Sequence, residues 1–533
     1  MASEFGRMLR AEWTKLRTVP GWVATVAGAL LAVLAVGLVG TAATNPNPGR
    51  TELPVGPGGE AVNDSFSFVH RALSGDGTLT VPVLGLTSVN AQGPQGSSPG
   101  PTAEWAKAGI IVKAGLDQGS TYAAVTATGD HGVRWQYDYT HDAAGRPGRP
   151  TATAPQWLRL TRTGDTVTGY DSADGEHWTR IGTARLPGLP RTAQVGLFAT
   201  SPERAEDTGT GTGLAPAVAT GRFGPAVLSG GWAAPAGADG GSVGDASDGS
   251  GSDGGGPGGG PDGTGGWTGS LVGADAGTSG SYLPGVAGGY TREGAAGFTV
   301  TGAGDIAAVV GGPALAGGRT VENALVGTFA GLAALAVVAT GCATAEYRRG
   351  LIALTLAASP RRGLLPVAKA LLLAALALLV GTAAAAVAVP LGTAWSTAHG
   401  FPVAAVPGAV ELRVVLGTGL LLAASSVLAL ALGLLLRRAA PAIAAAVGGL
   451  VLPYLLATSG ALPVGASEWL LRVTPAAGFA IQQSLPRLPQ VFTLYTPASG
   501  YYPLSPWAGL AVLTAWAAVA LLAAVVLIRR RDA

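Results

Sequence analysis

Cysteine is nearly absent: the chain's 533 residues include one, Cys342. No intrachain disulfide and no cysteine metal cluster is therefore available, and any exported domain must be held by its own core. Charge is also thin, at 12% of residues, against about 25% in ordinary soluble domains. No G-x-x-x-x-G-K-[ST] phosphate cradle occurs, so work driven by ATP would need a separate ATPase chain. The five histidines include His131, His141 and His177, whose spacing matches no zinc signature, and no metal site is assigned.

What is present falls into two populations. Long Ala/Leu/Val runs flank a middle rich in Gly, Asp and Thr, the composition of a membrane protein with a water-exposed insert. The formal net charge of +2 hides a segregation, because most acids lie in the middle while bases cluster at the ends of apolar runs. Net charge therefore says little about partners, and no nucleic acid is expected among them.

Residues 1–19 read as an amphipathic helix. Phe5, Met8, Leu9, Trp13 and Leu16 fall on one stripe, with Arg7, Arg10, Lys15 and Arg17 largely elsewhere. Pro20 opens a first span at 20–43, too long for a signal-peptide core and with no clear A-x-A site after it. Further spans are expected at 321–341, 367–392, 411–436, 440–458 and 507–528, with a tail at 529–533. With the N-terminus inside, Arg7–Arg17, Arg348–Arg362, Arg437–Arg438 and Arg529–Arg531 all land in the cytoplasm, and the inverted topology misplaces every one of them. The insert, 44–320, then lies outside. The span interiors lack Asp, Glu, His, Lys and Arg, which counts against an ion-coupled carrier.

The loop at 342–366 contains Glu346–Gly363, EYRRGLIALTLAASPRRG. Leu351, Ile352, Leu354 and Leu356 are bracketed by Arg348, Arg349, Arg361 and Arg362, and Pro360 stops any helix. Physics alone leaves two readings: an ordinary positive-inside loop, or a short helix under the membrane that a soluble partner grips. The longer string TAEYRRGLIALTLAASPRRGLLPVAKA resembles the cytoplasmic loop of ABC-2-type transporter permeases, the actinobacterial kind especially, and MLRAEWTKLRTVPGW resembles their start. The resemblance covers about the first 45 residues and everything after about 320.

It implies a six-helix permease bundle in a bacterial plasma membrane, with both termini cytoplasmic. The implied partners are a second permease copy, identical or homologous, and ABC ATPase subunits. ATP would act through that ATPase, with no cofactor bound by this chain. The implied activity is export of a hydrophobic or amphipathic compound. Glu346, Arg348, Arg349, Leu351, Ile352 and Leu354 would carry the ATP-driven motion. Within 459–506, the stretch Gly465–Leu485 resembles the re-entrant or interfacial helices that precede the last span in that family; its other reading is a surface loop with apolar anchors.

The insert reads as short strands separated by turns: Phe66–Val69, Leu79–Leu84, Ala108–Val112, Tyr122–Thr128, Arg134–Tyr139, Trp157–Thr163, Thr166–Tyr170, Thr179–Ala184 and Ala193–Ala199. Such spacing indicates an antiparallel β-sandwich. The strings WAKAGIIVKAG, WLRLTRTGDTVTGYDSADGEHWTRIG and AQVGLFATS resemble the concanavalin A-like, laminin-G-like jelly roll, over 62–225. Gly297–Ile306 resembles that domain's first strand but comes last, so a segment at about 290–310 is expected to return to the sheet. Residues 233–278 have too few apolar side chains for a core and read as a Gly-rich linker. The expected fold is a membrane all-α six-helix bundle plus an extracellular all-β jelly-roll sandwich.

No catalytic residue is assigned. Asp138, Asp165, Asp171, Asp174 and Glu176 offer carboxylates, but no acidic pair alternates along one strand as glycoside hydrolysis in this fold would need. Ser172–Asp174–Gly175 with Trp178 resembles a sialidase aspartate box one residue short. Arg134, Trp135, Tyr137 and Tyr139 are the candidate contacts for an extracellular glycan, with core packing as the default for such aromatics. The rival classes are a membrane-anchored glycan receptor or adhesin, for which one span would suffice, and a tethered glycosidase.

Overall fold

The computed structural model describes residues 2–42, 54–92, 96–99, 102–207, 212–232, 266–273, 288–293, 297–310, 320–348, 364–399, 403, 406–492 and 495–531. Two bodies of different composition result: a large antiparallel β domain and a helical bundle.

In the β domain the organising element is β2, Phe66–Gln92. Two short strands were expected over this stretch; a single strand of 27 residues runs through both. Continuity lets β2 change partners along its length. Its first third pairs with β11 (Thr192–Thr200) and β16 (Thr268–Val272), its middle with β8 (Gln156–Thr163) and β15 (Val227–Trp232), and its last part with β14 (Ala217–Phe223) and β3 (Gly96–Pro99). From β11 the sheet continues through β4 (Lys107–Lys113), β5 (Tyr122–Thr128), β6 (Val133–Tyr137) and β7 (His141–Ala144); from β8 it continues through β9 (Thr166–Ser172) to β10 (Thr179–Arg185). The sheet curls on itself because inward side chains of both arms share one core: Ile110, Val112, Val125 and Leu197 meet Leu158, Leu160, Val167 and Phe223. Such alternation, inward apolar and outward polar, is clear in β8, where Leu158 and Leu160 are buried and Trp157, Arg159 and Thr161 are half-exposed.

The late segment does return. β17 (Gly289–Glu293) pairs with β18 (Gly297–Ala303), which lies against β14, and β19 (Ile306–Ala308) pairs with β1 (Val62–Asp64). The strand β16 lies inside the stretch read as linker. That reading is corrected for Thr268–Val272, whose five residues pair in register with Phe66–His70; residues 233–265 lie outside the described residues. Composition missed β16 because an edge strand that pairs on one side, with Val272 alone fully buried, is held by its backbone ladder more than by apolar side chains of its own.

Trp135 shows how tight the core is. A Cβ added at Gly169 would sit 2.3 Å from its Cε3, and one at Gly182 would sit 2.4 Å from its Cδ1. The indole lies against two bare backbone segments of β9 and β10. Gly169→Ala is therefore expected to destabilise the β domain by about 1–3 kcal/mol through overpacking. Gly188→Ala, whose Cβ would find its nearest atom at 3.5 Å, should be nearly neutral. Thermal melts of the two variants, followed by circular dichroism, check the contrast.

Among the described residues, six helices are long and apolar enough to cross a membrane. A helix α1 (Ala2–Thr18) precedes them; α2 (Pro20–Ala42) opens on a proline, which is tolerated in a first turn where the missing N–H has no partner to lose. Then come α3 (Thr328–Arg348), α4 (Leu364–Ala398), α5 (Gly408–Leu436), α6 (Ala439–Thr458), a short α7 (Val464–Val473) and α8 (Pro506–Arg531). The second and third spans run past their expected inner ends, and α4 also runs through Pro390 to Ala398. At the centre is α5, 67% buried over its most apolar window, against 17% for α2 and α6. It approaches α4 closely because both are glycines at the crossing: a Cβ on Gly381 would lie 2.8 Å from the Gly419 Cα. Small residues at a crossing let van der Waals contact do what the hydrophobic effect does in water.

Candidate functional site

One end of the bundle gathers the basic clusters. Leu16 of α1, Cys342 and Ala343 of α3, Ala370 and Leu373 of α4, Leu434 of α5 and Ile528 of α8 form one buried cluster. The helix ends bearing Lys15–Arg17, Arg348, Arg437–Arg438 and Arg529–Arg531 consequently converge. Arg437 ends α5 in the left-handed conformation, φ 54°, its N–H donating to the Gly433 carbonyl. The amphipathic stripe of α1 is partly a docking face: Leu16 is buried, whereas Trp13 stays 45% exposed.

Glu12, absent from the sequence-level assignment, pins α1 in place. Its carboxylate lies 3.3 Å from the Lys369 Nζ on α4, and both are buried. Lys369 Nζ also donates to the Cys342 carbonyl on α3 at 3.3 Å. A buried lysine is costly unless partnered, so Glu12 and the α3 carbonyl explain how it is accommodated. The signal was present as an isolated lysine six residues into a greasy helix.

Of the residues assigned to coupling, Glu346 and Arg348 occupy the last turn of α3. Arg349, Leu351, Ile352 and Leu354 lie outside the described residues. The loop therefore leaves from and returns to the basic end, between Arg348 and Leu364.

The far end carries a polar cluster that sequence reasoning missed. The stretch Gly465–Leu485 folds as α7 followed by a 3-10 helix, Pro475–Gln482. Ala476–Gln482 are all buried, with Phe479 and Ile481 packed against Leu332, Leu421 and Leu513, while Trp469 on α7 is 61% exposed. Gln482 Nε2 donates to Thr328 Oγ1 (3.1 Å) and Thr418 Oγ1 (3.0 Å). Glu322 accepts from the Ser484 N–H at 3.1 Å and from its hydroxyl, and Arg413 donates to the Gln483 carbonyl.

In the β domain the four candidate glycan contacts do not share a face. Trp135 is buried in the main core, against which Tyr137 also packs, and Tyr139 belongs to a second core beneath β4. Trp135 and Tyr139 are corrected to core side chains, since neither ring is free to stack on a sugar. Arg134 forms an ion pair with Asp142; Tyr137 stacks on His141 with centroids 4.1 Å apart. The box-like loop is self-contained: Asp174 Oδ1 accepts from the Glu176 and His177 N–H groups at 2.9 and 2.8 Å, and Trp178 Nε1 donates to the Gly175 carbonyl at 3.0 Å. Its hydrogen bonds to the ionised carboxylate, the His177 N–H first, hold the Asp174 pKa well below the usual carboxylate range. Among the described residues no three His, Cys, Asp or Glu side chains gather as metal ligands would.

Beneath β4 lie two ion pairs in the protein interior. Lys113 and Asp64 meet at 2.6 Å, and Lys107 and Asp305 also at 2.6 Å. Tyr139 donates its hydroxyl to Asp64 at 2.7 Å. Burial pulls the Lys113 ammonium below its ordinary pKa, and Asp64 draws it back up. Asp64 ends β1 and Asp305 immediately precedes β19, so both acids lie at one end of the β1–β19 ladder.

No family model matches this chain, and no curated protein matches it. Among solved structures it is similar to a functionally unknown protein from Saccharomyces cerevisiae, at 19% identity over 34% of this chain and 83% of that one, TM-score 0.20. A mutant of the GH43 protein BlXynB from Bacillus licheniformis matches at 16% identity over 23% of this chain and 24% of that one, TM-score 0.17. SCP-B, a member of the Eqolisin family of peptidases, matches at 13% identity over 32% and 84%, TM-score 0.21. Likeness at this level carries no argument for fold or activity.

Proposed function

We propose that this chain is the membrane-spanning permease subunit of an ABC-2-type transporter, with a jelly-roll β domain on the outer side. It would work with a second permease copy and with separate ABC ATPase subunits, exporting a hydrophobic or amphipathic compound. One observation carries this reading. The helix ends bearing the basic clusters converge, and the permease-like loop leaves from and returns to that same end. Positive charge at one end of a helical bundle marks its cytoplasmic side, where an ATPase would find both α1 and the loop. The lipid-facing surface fits: Leu31, Val39, Leu379, Val519 and Leu522 are each more than 60% exposed, a cost in water and none in hydrocarbon.

Orientation is tested by cysteine labelling in a Cys342→Ala background. Ser250→Cys should react with an impermeant maleimide on intact cells, and Ser359→Cys should react only after permeabilisation. Equal or reversed labelling would remove the six-span topology. Copurification of an ATPase with the membrane-embedded chain tests the permease reading itself.

A further inference from the structure

We propose that residues 482–491 form a stiff strap that couples the polar cluster at the far end of the bundle to the β domain, so that movement of either is felt by the other. Three observations support it, and none depends on the permease reading.

The first is double anchoring. At the bundle end Gln482 is held by Thr328 of α3 and Thr418 of α5, and Ser484 by Glu322 (3.1 Å from the Ser484 N–H). At the other end Gln490 Nε2 donates to the Thr140 carbonyl at 2.9 Å. Leu488 packs on the second core beneath β4, and Val491 is buried with Ala307 and Val310. Those are the residues around β1 and β19, through which the chain passes between the β domain and the bundle.

The second is stiffness. Pro486 and Pro489 fix their own φ and restrict Leu485 and Leu488 before them. Arg487 Nη2 donates to the Tyr502 carbonyl at 2.9 Å and ties the middle of the strap to the approach of α8. A slack connector would absorb displacement; two prolines within four residues transmit it.

The third is where the strap lands. Thr140 follows Asp138 and Tyr139, which have φ of 42° and 59°. Two successive non-glycine residues in the left-handed region store strain. The turn is retained by the Asp64–Tyr139 hydrogen bond at 2.7 Å and by the Asp138 carboxylate, which accepts from the Tyr122 N–H at 3.2 Å. The strap thus bears on a loaded turn wired to the Lys113–Asp64 pair rather than on an idle surface loop.

Hydrogen exchange by mass spectrometry on the full chain in lipid nanodiscs tests this without any partner or substrate. Glu322→Gln keeps the side chain's shape but weakens the grip on Ser484. Amides at 321–325 and 475–482 should then exchange about tenfold faster, and so should those at 62–64 and 306–308 in the β domain. In a Pro486→Gly/Pro489→Gly background the distant rise should vanish while the local one persists. Should Glu322→Gln fail to fold, Ser484→Ala perturbs the same joint more gently and is read in the same way. A rise confined to the bundle, or a distant rise indifferent to the two prolines, overturns the strap.

Discussion

Replacing Leu351 and Ile352 together with aspartate should abolish ATPase copurification and substrate-stimulated ATP hydrolysis while leaving membrane insertion intact. If the loop docks into a groove on an ATPase, each of these side chains buries apolar surface worth roughly 1.5–3 kcal/mol. Two together approach the range that separates a micromolar complex from an undetectable one. Aspartate loses that burial and adds unpaired charge in a desolvated contact, which costs more again. Arg348, Arg349, Arg361 and Arg362 remain, so the topogenic signal is unchanged. Western blots of membranes and tandem affinity purification separate the outcomes. A double variant that inserts, keeps its ATPase and still hydrolyses ATP would leave the loop with orientation as its only role.

The second large effect is expected from Lys113→Met, which should destabilise the β domain by about 3–5 kcal/mol because Asp64 is left as an uncompensated buried charge. In a domain of this size that corresponds to a fall in Tm of roughly 10 °C. The double variant Lys113→Met/Asp64→Leu should recover part of the loss, since the unpaired charge is gone while the Tyr139 hydroxyl and the Gly119 N–H lose Asp64 as an acceptor. Arg149 and Asp130 make an ion pair of 3.0 Å with both side chains at least half exposed. Arg149→Ala should therefore stay within about 0.5 kcal/mol of the parent. Equal effects of the interior and surface variants would show that burial does not set the strength of these pairs.

Much of this was legible along the chain. Apolar runs of spanning length mark each of the long helices among the described residues, because a helix satisfies its own backbone and needs only greasy side chains to enter lipid. Tyr122–Thr128 is β5 residue for residue, and β8 to β11 follow their expected strands to within a residue or two, because period-two alternation is a local property. The loop after α3 stood out in the sequence, but Arg349, Leu351, Ile352 and Leu354 fall outside the described residues. Glycan-contact candidates failed for the opposite reason: Trp135 and Tyr139 carry the composition of a binding platform, and only the neighbours of each ring reveal that it faces a core.

The sequence by itself determined which stretches are greasy, which alternate and where positive charge collects; these are one-dimensional quantities, and insertion and strand formation respond to them directly. Tertiary structure alone decided what a polar group meets. Lys107 and Lys113 sit on one face of β4 that a one-sided sheet would expose, yet Asp305, just before β19, and Asp64, at the end of β1, meet them there. Glu12 finds Lys369 across 357 residues of chain, Gln490 reaches Thr140 across 350, and β16 pairs with β2. A buried charge is tolerated only with a partner, and a partner hundreds of residues away leaves no periodicity in the chain to be read.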